Sequence, residues 1–242
     1  MTDSSQQHLP PQDPETGVSR RDALRLTLGL AASLGGLSAC AGTRNLVGRP
    51  IPDDPVIVPA TIARSPAAAP AYRVRPLARS LWTPTQPKLW DTNPMGRITR
   101  ITVHHDGMPF GMGDSQADAV DRLRRICKVH VEQHGWADIG YHYAIDPGGR
   151  IWDCRPDSLQ GAHVKDNNEQ NLGILVMGNF NNTTPTPAAK MALVSLITDK
   201  QRQHRVPMAR VRTHQEINPT ECPGRSLQAF MITARRAGGP IA

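Results

Sequence analysis

The chain has 242 residues, 38 % hydrophobic and 20 % charged, which is enough for one sizeable core. Its 22 prolines and 20 glycines show no period, and four cysteines are too few for a disulfide scaffold of this length. Collagen-like, wholly disordered and disulfide-stapled architectures are therefore excluded. A formal charge of +7 favours acidic partners, and no run of 18 apolar residues is present to make an ordinary membrane span.

The N-terminal segment reads as an address. Ser19-Arg20-Arg21-Asp22 precedes a short apolar run from Leu26 to Leu37, then Ser38-Ala39-Cys40. A charged region followed by about a dozen apolar residues is the pattern of a secretory signal. The Arg20-Arg21 pair resembles the twin-arginine export motif, with the Sec route left open. Leu37-Ser38-Ala39-Cys40 resembles the bacterial lipobox, which implies a signal peptide over residues 1–39 and a lipid on Cys40. Cleavage there removes three basic and four acidic residues, moving the charge from +7 to +8. From Cys40 to Ala78 the chain is rich in Pro and Ala (Arg49-Pro50-Ile51-Pro52, Ala67 to Pro70), which predicts a partly extended tether. Residues 79–242 are left as the folded domain.

Within that domain, Arg97 to His104 alternates as a strand, and Asp114 to His134 carries a helical stripe with Asp114 or Ser115 as N-cap. Tyr141–Ile145 and Arg150–Cys154 flank Asp146-Pro147-Gly148-Gly149, a hairpin signal. The continuous apolar run Leu172–Met177 suits a central strand. Pro187–His204 reads as a helix with Pro in its first turn, Ala209–Thr213 as a short strand and Ser226–Arg236 as a closing helix. Strands alternating with helices predict an α/β domain, a central mixed sheet flanked by helices.

Three clusters stand out among nine histidines. They are His104-His105-Asp106 at the end of the first strand, Tyr141-His142-Tyr143 on the hairpin, and His214, eight positions before Cys222. Zinc takes imidazole and thiolate ligands, and a catalytic site keeps three protein ligands with a fourth position open. Two histidines and a cysteine meet that count. Periodicity does not choose between His104 and His105, which project to opposite faces of a strand. Cys127 and Cys154 fit either a disulfide or two buried free thiols, and His130 reads as a packed histidine rather than a ligand.

Five motifs occur in order: Ile101-Thr102-Val103-His104-His105, Gly135 to Tyr143, Gly161-Ala162-His163, Leu172-Gly173-Ile174 and His214 to Gly224. From about Arg79 onward the chain resembles the type 2 N-acetylmuramoyl-L-alanine amidases, which share their fold with a phage lysozyme and the peptidoglycan recognition proteins. The resemblance implies Zn2+ held by His104, His214 and Cys222, with Tyr141 beside it. Thr220 falls where the phage enzyme has a catalytic lysine and recognition amidases usually have threonine. Its hydroxyl lacks a useful base, so it is assigned hydrogen bonding. The resemblance further places His163 and Asn168 facing substrate, with Lys165 adding a charge for its peptide.

The implied reaction is hydrolysis of the amide between N-acetylmuramic acid, or its 1,6-anhydro form, and L-alanine, for cell-wall turnover or recycling. The alternative is a non-catalytic peptidoglycan-binding module; such relatives typically lose a ligand. Nucleic acid is not an expected partner, because the basic residues are scattered and aromatics amount to 4 %. The expected partners are muropeptides and, through lipidated Cys40, a membrane: the outer membrane at its periplasmic face, since Ala41 is not acidic. A monomer is the default.

Overall fold

In the computed structural model, residues 74–108 and 113–241 are described; the expected signal peptide, Cys40 and the expected tether up to residue 73 lie outside them. Five strands form one sheet in the order β3-β2-β4-β1-β5. They are β1 (Arg100–His105), β2 (Tyr143–Ile145), β3 (Ile151–Asp153), β4 (Asn171–Val176) and β5 (Val211–Thr213). The β2–β4, β4–β1 and β1–β5 pairs run parallel and the β2–β3 hairpin antiparallel, the mixed sheet that the element order predicts.

The sheet separates two cores. Ile101, Val103, Leu172, Ile174 and Val211 face a cluster completed by helices α2 (Pro187–His204) and α3 (Arg225–Ala234) through Leu193, Ile197, Leu227 and Met231. Ala144, Trp152, Leu175 and Met177 face the opposite cluster, closed by Leu123 and Ile126 of α1 (Gln116–Lys128) and by Trp82. Full burial of one such aliphatic side chain contributes about 1.5–3 kcal/mol. β4 is buried along its whole length because both faces are covered, which is why its sequence is continuously apolar after Asn171.

Helix starts follow local chemistry. Ser115, rather than Asp114, caps α1: its Oγ accepts from the Asp118 N–H at 3.1 Å while Asp118 accepts from the Ser115 N–H at 3.2 Å, a capping box. Thr186 caps α2 ahead of Pro187, accepting from the Ala189 N–H at 3.0 Å.

Element boundaries shift from the sequence pattern by one to a few residues, and β5, expected from Ala209, begins at Val211 after a 3-10 turn over Met208–Arg210. β1 begins at Arg100 rather than Arg97, because its neighbour β4 begins at Asn171 and earlier residues have no strand to pair with. The single long helix expected to His134 becomes α1 followed by a π turn, Val129–Gln133, which carries His130. At the other end, Leu77 pairs along β3, donating to the Ile151 carbonyl at 2.7 Å and accepting from the Asp153 N–H at 2.9 Å.

Candidate metal centre

β1 delivers His104 and His105 to opposite faces at the C-terminal edge of the parallel strands, where open α/β sheets place their ligands. His105 turns to the α2/α3 side, where its Nδ1 accepts from the Phe180 N–H at 3.2 Å. His104, 1 % exposed, turns to the other face and meets His214 and Cys222. Donor atoms of these three residues all lie within 4.8 Å of one another, the one such group found among the described residues.

The second and third members of this group come from one closed loop. β5 ends at Thr213, and His214 opens a single 3-10 turn that ends at Glu216. Glu216 accepts from the Thr213 N–H at 3.0 Å and pairs with Arg235, the C-cap of α3. The Gln215 N–H then donates to the Cys222 carbonyl at 2.8 Å, drawing the two ends of the loop together. Thr220 is exposed, and its Oγ1 accepts from the Cys222 N–H at 3.2 Å. The Asn218 amide donates to the Lys165 carbonyl at 3.0 Å, joining this loop to the 163–168 loop.

The donor chemistry suits zinc. Burial, then the neighbouring His163, His214 and His105, push His104 well below its ordinary pKa, and burial lowers that of His214, so both imidazoles are neutral. Burial raises the Cys222 thiol to about 12, against the His105 N–H that donates to its Sγ at 3.4 Å. A cation is therefore what would turn this thiol into a thiolate ligand. His104 Nδ1 and Cys222 Sγ stand 3.6 Å apart. Two tetrahedral ligands at zinc–nitrogen and zinc–sulfur bond lengths would stand about 3.6 Å apart as well.

Tyr141, just ahead of β2, lies with its ring centroid 5.2 Å from that of His104. Burial first, then the Cys222 and Asp106 charges, raise its pKa, so the phenol keeps its proton and is able to donate it in a hydrogen bond. His130 packs behind it at 5.6 Å between ring centroids, and its Nδ1 accepts from the Gly140 N–H at 3.0 Å; it is not in the ligand group.

The residues expected to face substrate divide. Lys165 is exposed on its loop. Asn168 lines a cleft with Asn93, Trp136 and Gln160, while its Oδ1 accepts from the His163 and Val164 N–H groups at 2.8 Å each. His163 is buried, with both ring nitrogens hydrogen-bonded inside the protein. Cys127 and Cys154 are free thiols.

Sequence analysis places Asp106 in the first histidine cluster without giving it a role, and it does not single out Arg122. The carboxylate, one residue past the histidine pair, receives the Arg122 guanidinium at 2.6 Å and the Gly178 N–H at 3.2 Å, pinning α1 to the site. Its only signal in sequence was a carboxylate ending an apolar strand.

A profile of the N-acetylmuramoyl-L-alanine amidase family matches residues 94–225. The chain is 31 % identical over 131 residues to peptidoglycan-recognition protein SC2 of Drosophila simulans, covering 54 % of this chain and 70 % of that one. It resembles the structure of a Drosophila PGRP-LB variant in complex with tracheal cytotoxin, at 28 % identity and a TM-score of 0.59, covering 66 % of this chain and 94 % of that one. The N-acetylmuramoyl-L-alanine amidase LysC of Clostridium intestinale is similar at 26 % identity and a TM-score of 0.50, covering 58 % and 87 %.

Proposed function

Because the chain belongs to the N-acetylmuramoyl-L-alanine amidase family, we propose that it is a zinc amidase that cleaves N-acetylmuramic acid, or its 1,6-anhydro form, from L-alanine in peptidoglycan. The convergence of His104, His214 and Cys222 beside Tyr141 carries this reading: all three donors and the neighbouring phenol are in place. Zinc held there supplies a water nucleophile at neutral pH and Lewis acidity toward the amide carbonyl.

The chain's own groups do the rest. Tyr141, protonated and buried, donates to the carbonyl oxygen as it gains negative charge, a contribution of about 10²–10³ in rate for one such donor. Thr220 has no base strength and serves by hydrogen bonding: it holds the Cys222 N–H and presents an exposed hydroxyl at the mouth of the site. Asn168 in its cleft and Lys165 on the same loop suit a stem peptide bearing carboxylates, as does the overall charge of +7.

The setting belongs to the same proposal. Arg20-Arg21, the apolar run Leu26–Leu37 and Cys40 support export and lipid anchoring, with the domain at the periplasmic face of the outer membrane and a role in wall turnover or recycling. The mass of the mature N-terminus tests that part: a diacylated or triacylated peptide beginning at Cys40 is expected.

The activity is tested by mass spectrometry of muropeptides incubated with the full-length protein, with and without a chelator. Release of peptide and of peptide-free glycan, lost on chelation and restored by zinc, is the expected result. Muropeptide binding without cleavage by the zinc-loaded protein would make the chain a recognition module instead.

A further inference from the structure

His163 is 7 % exposed, and its two ring nitrogens have different partners. Nε2 is 3.0 Å from the backbone carbonyl of Asn171. A carbonyl only accepts, so Nε2 carries the hydrogen and, in the neutral ring, Nδ1 is a lone pair. That lone pair is 3.0 Å from His104 Nε2. It can only accept, so His104 Nε2 carries the hydrogen of its own ring. What is left on His104 is the Nδ1 lone pair, 3.6 Å from the Cys222 sulfur. A fixed backbone dipole thus sets one tautomer, which sets the next.

The ring is held in this register by a slot two of whose walls are glycines. A Cβ on Gly173 would fall 2.6 Å from His163 Cδ2, and one on Gly161 would fall 2.5 Å from the same atom. His142 closes a further side, edge-on at 5.7 Å between ring centroids; it accepts from the Gly173 N–H and donates to the Leu159 carbonyl, so its own orientation is fixed. Asn168 grips the backbone at both His163 and Val164. The acceptor strand is anchored too: the Asn171 amide is held by the Thr102 hydroxyl at 2.9 Å and the Asn167 carbonyl at 2.8 Å.

We propose that His163 is a positioning residue for the metal centre rather than a substrate contact: the Asn171 carbonyl–His163–His104 relay presents His104 to the metal through Nδ1. The proposal rests on the reading of His104, His214 and Cys222 as a zinc site and explains why two of the sequence motifs, Gly161-x-His163 and Leu172-Gly173-Ile174, occur together: each supplies one wall of the same slot. A histidine ligand whose second nitrogen is hydrogen-bonded is oriented and made more basic, and loss of such a partner typically costs about 10–100-fold in metal affinity.

Two polar substitutions separate the hydrogen bonds. His163→Asn keeps an acceptor near the position of Nδ1 and so preserves the contact to His104. His163→Gln keeps a donor near the position of Nε2 and so preserves only the contact to Asn171. Zinc affinity of the full-length protein, measured by competition with a chromophoric chelator, should fall about 10–100-fold in His163→Gln and distinctly less in His163→Asn. Long-range 1H–15N spectra of the metal-free wild type should show His104 and His163 both protonated at Nε2. Equal affinity loss in the two variants, a His163→Gln affinity equal to wild type, or a His104 protonated at Nδ1 would overturn the relay while leaving the zinc reading intact. A wild-type protein that binds no zinc would overturn both.

Discussion

Tyr141 and Gly173 show how single positions tune the site. The Tyr141 phenol keeps its proton because burial and the neighbouring Cys222 and Asp106 disfavour a phenolate, and the proposed reaction uses it as a donor. Tyr141→Phe should therefore lower kcat about 10²–10³-fold while zinc affinity is unchanged, as read from steady-state kinetics beside a metal titration. Gly173 matters for the space it leaves: a methyl group there would meet the His163 ring at 2.6–2.8 Å. Gly173→Ala should destabilise the protein by about 1–3 kcal/mol in denaturant unfolding, the usual cost of overpacking a filled core. Both residues stood inside motifs legible in the sequence. Their roles were not legible, because a slot exists only when Gly161 and Gly173 are folded against the same ring. The resemblance set His163 facing substrate; the geometry turns its ring inward.

At the scale of elements, α1 is attached to the site by a buried ion pair as well as by its apolar stripe. Arg122 and Asp106 are each about 5 % exposed or less at the side chain, and the carboxylate also accepts from the Met108 and Gly178 N–H groups. Arg122→Leu leaves that carboxylate buried without its cation. A loss of about 3–5 kcal/mol in denaturant unfolding is expected, well beyond the effect of losing an exposed pair such as Arg124–Asp121. The helix itself was readable from Ser115, Asp118 and the Leu123–Ile126 periodicity, since capping and amphipathicity are local. Its π turn was not: Val129 to Gln133 carries no proline or glycine to announce a change of pitch. The turn places His130 behind Tyr141, where its Nδ1 receives the Gly140 N–H.

For the whole molecule, the buried histidines make the fold sensitive to acid. Burial, followed by the His134 and Arg155 charges, holds His130 at about 4 against an ordinary 6.5. Burial holds His142 at about 4 as well, despite its hydrogen bond to the Leu159 carbonyl. Unfolded, both rings take up protons near pH 6.5; folded, they resist until about pH 4. The unfolded state binds more protons in that window, so this contribution is complete above about pH 6.5 and is lost as pH falls toward 4. Thermal melts in the presence of a chelator, which removes any contribution from metal release, should show Tm declining across this range. The decline should be shallower in His130→Gln.

The element order, the caps, the covered central strand and the histidines and cysteine able to bind zinc were all in the sequence, because each depends on neighbours a few positions away or on motifs read in order. Tertiary structure decided the rest. It placed the ring of His104, not that of His105, against Cys222, 118 positions later, because the two faces of β1 meet different cores. It also left Cys127 and Cys154 as free thiols and set the His163 ring against His104. These outcomes hang on contacts between distant segments, and no local pattern encodes which face of a strand another part of the chain will cover.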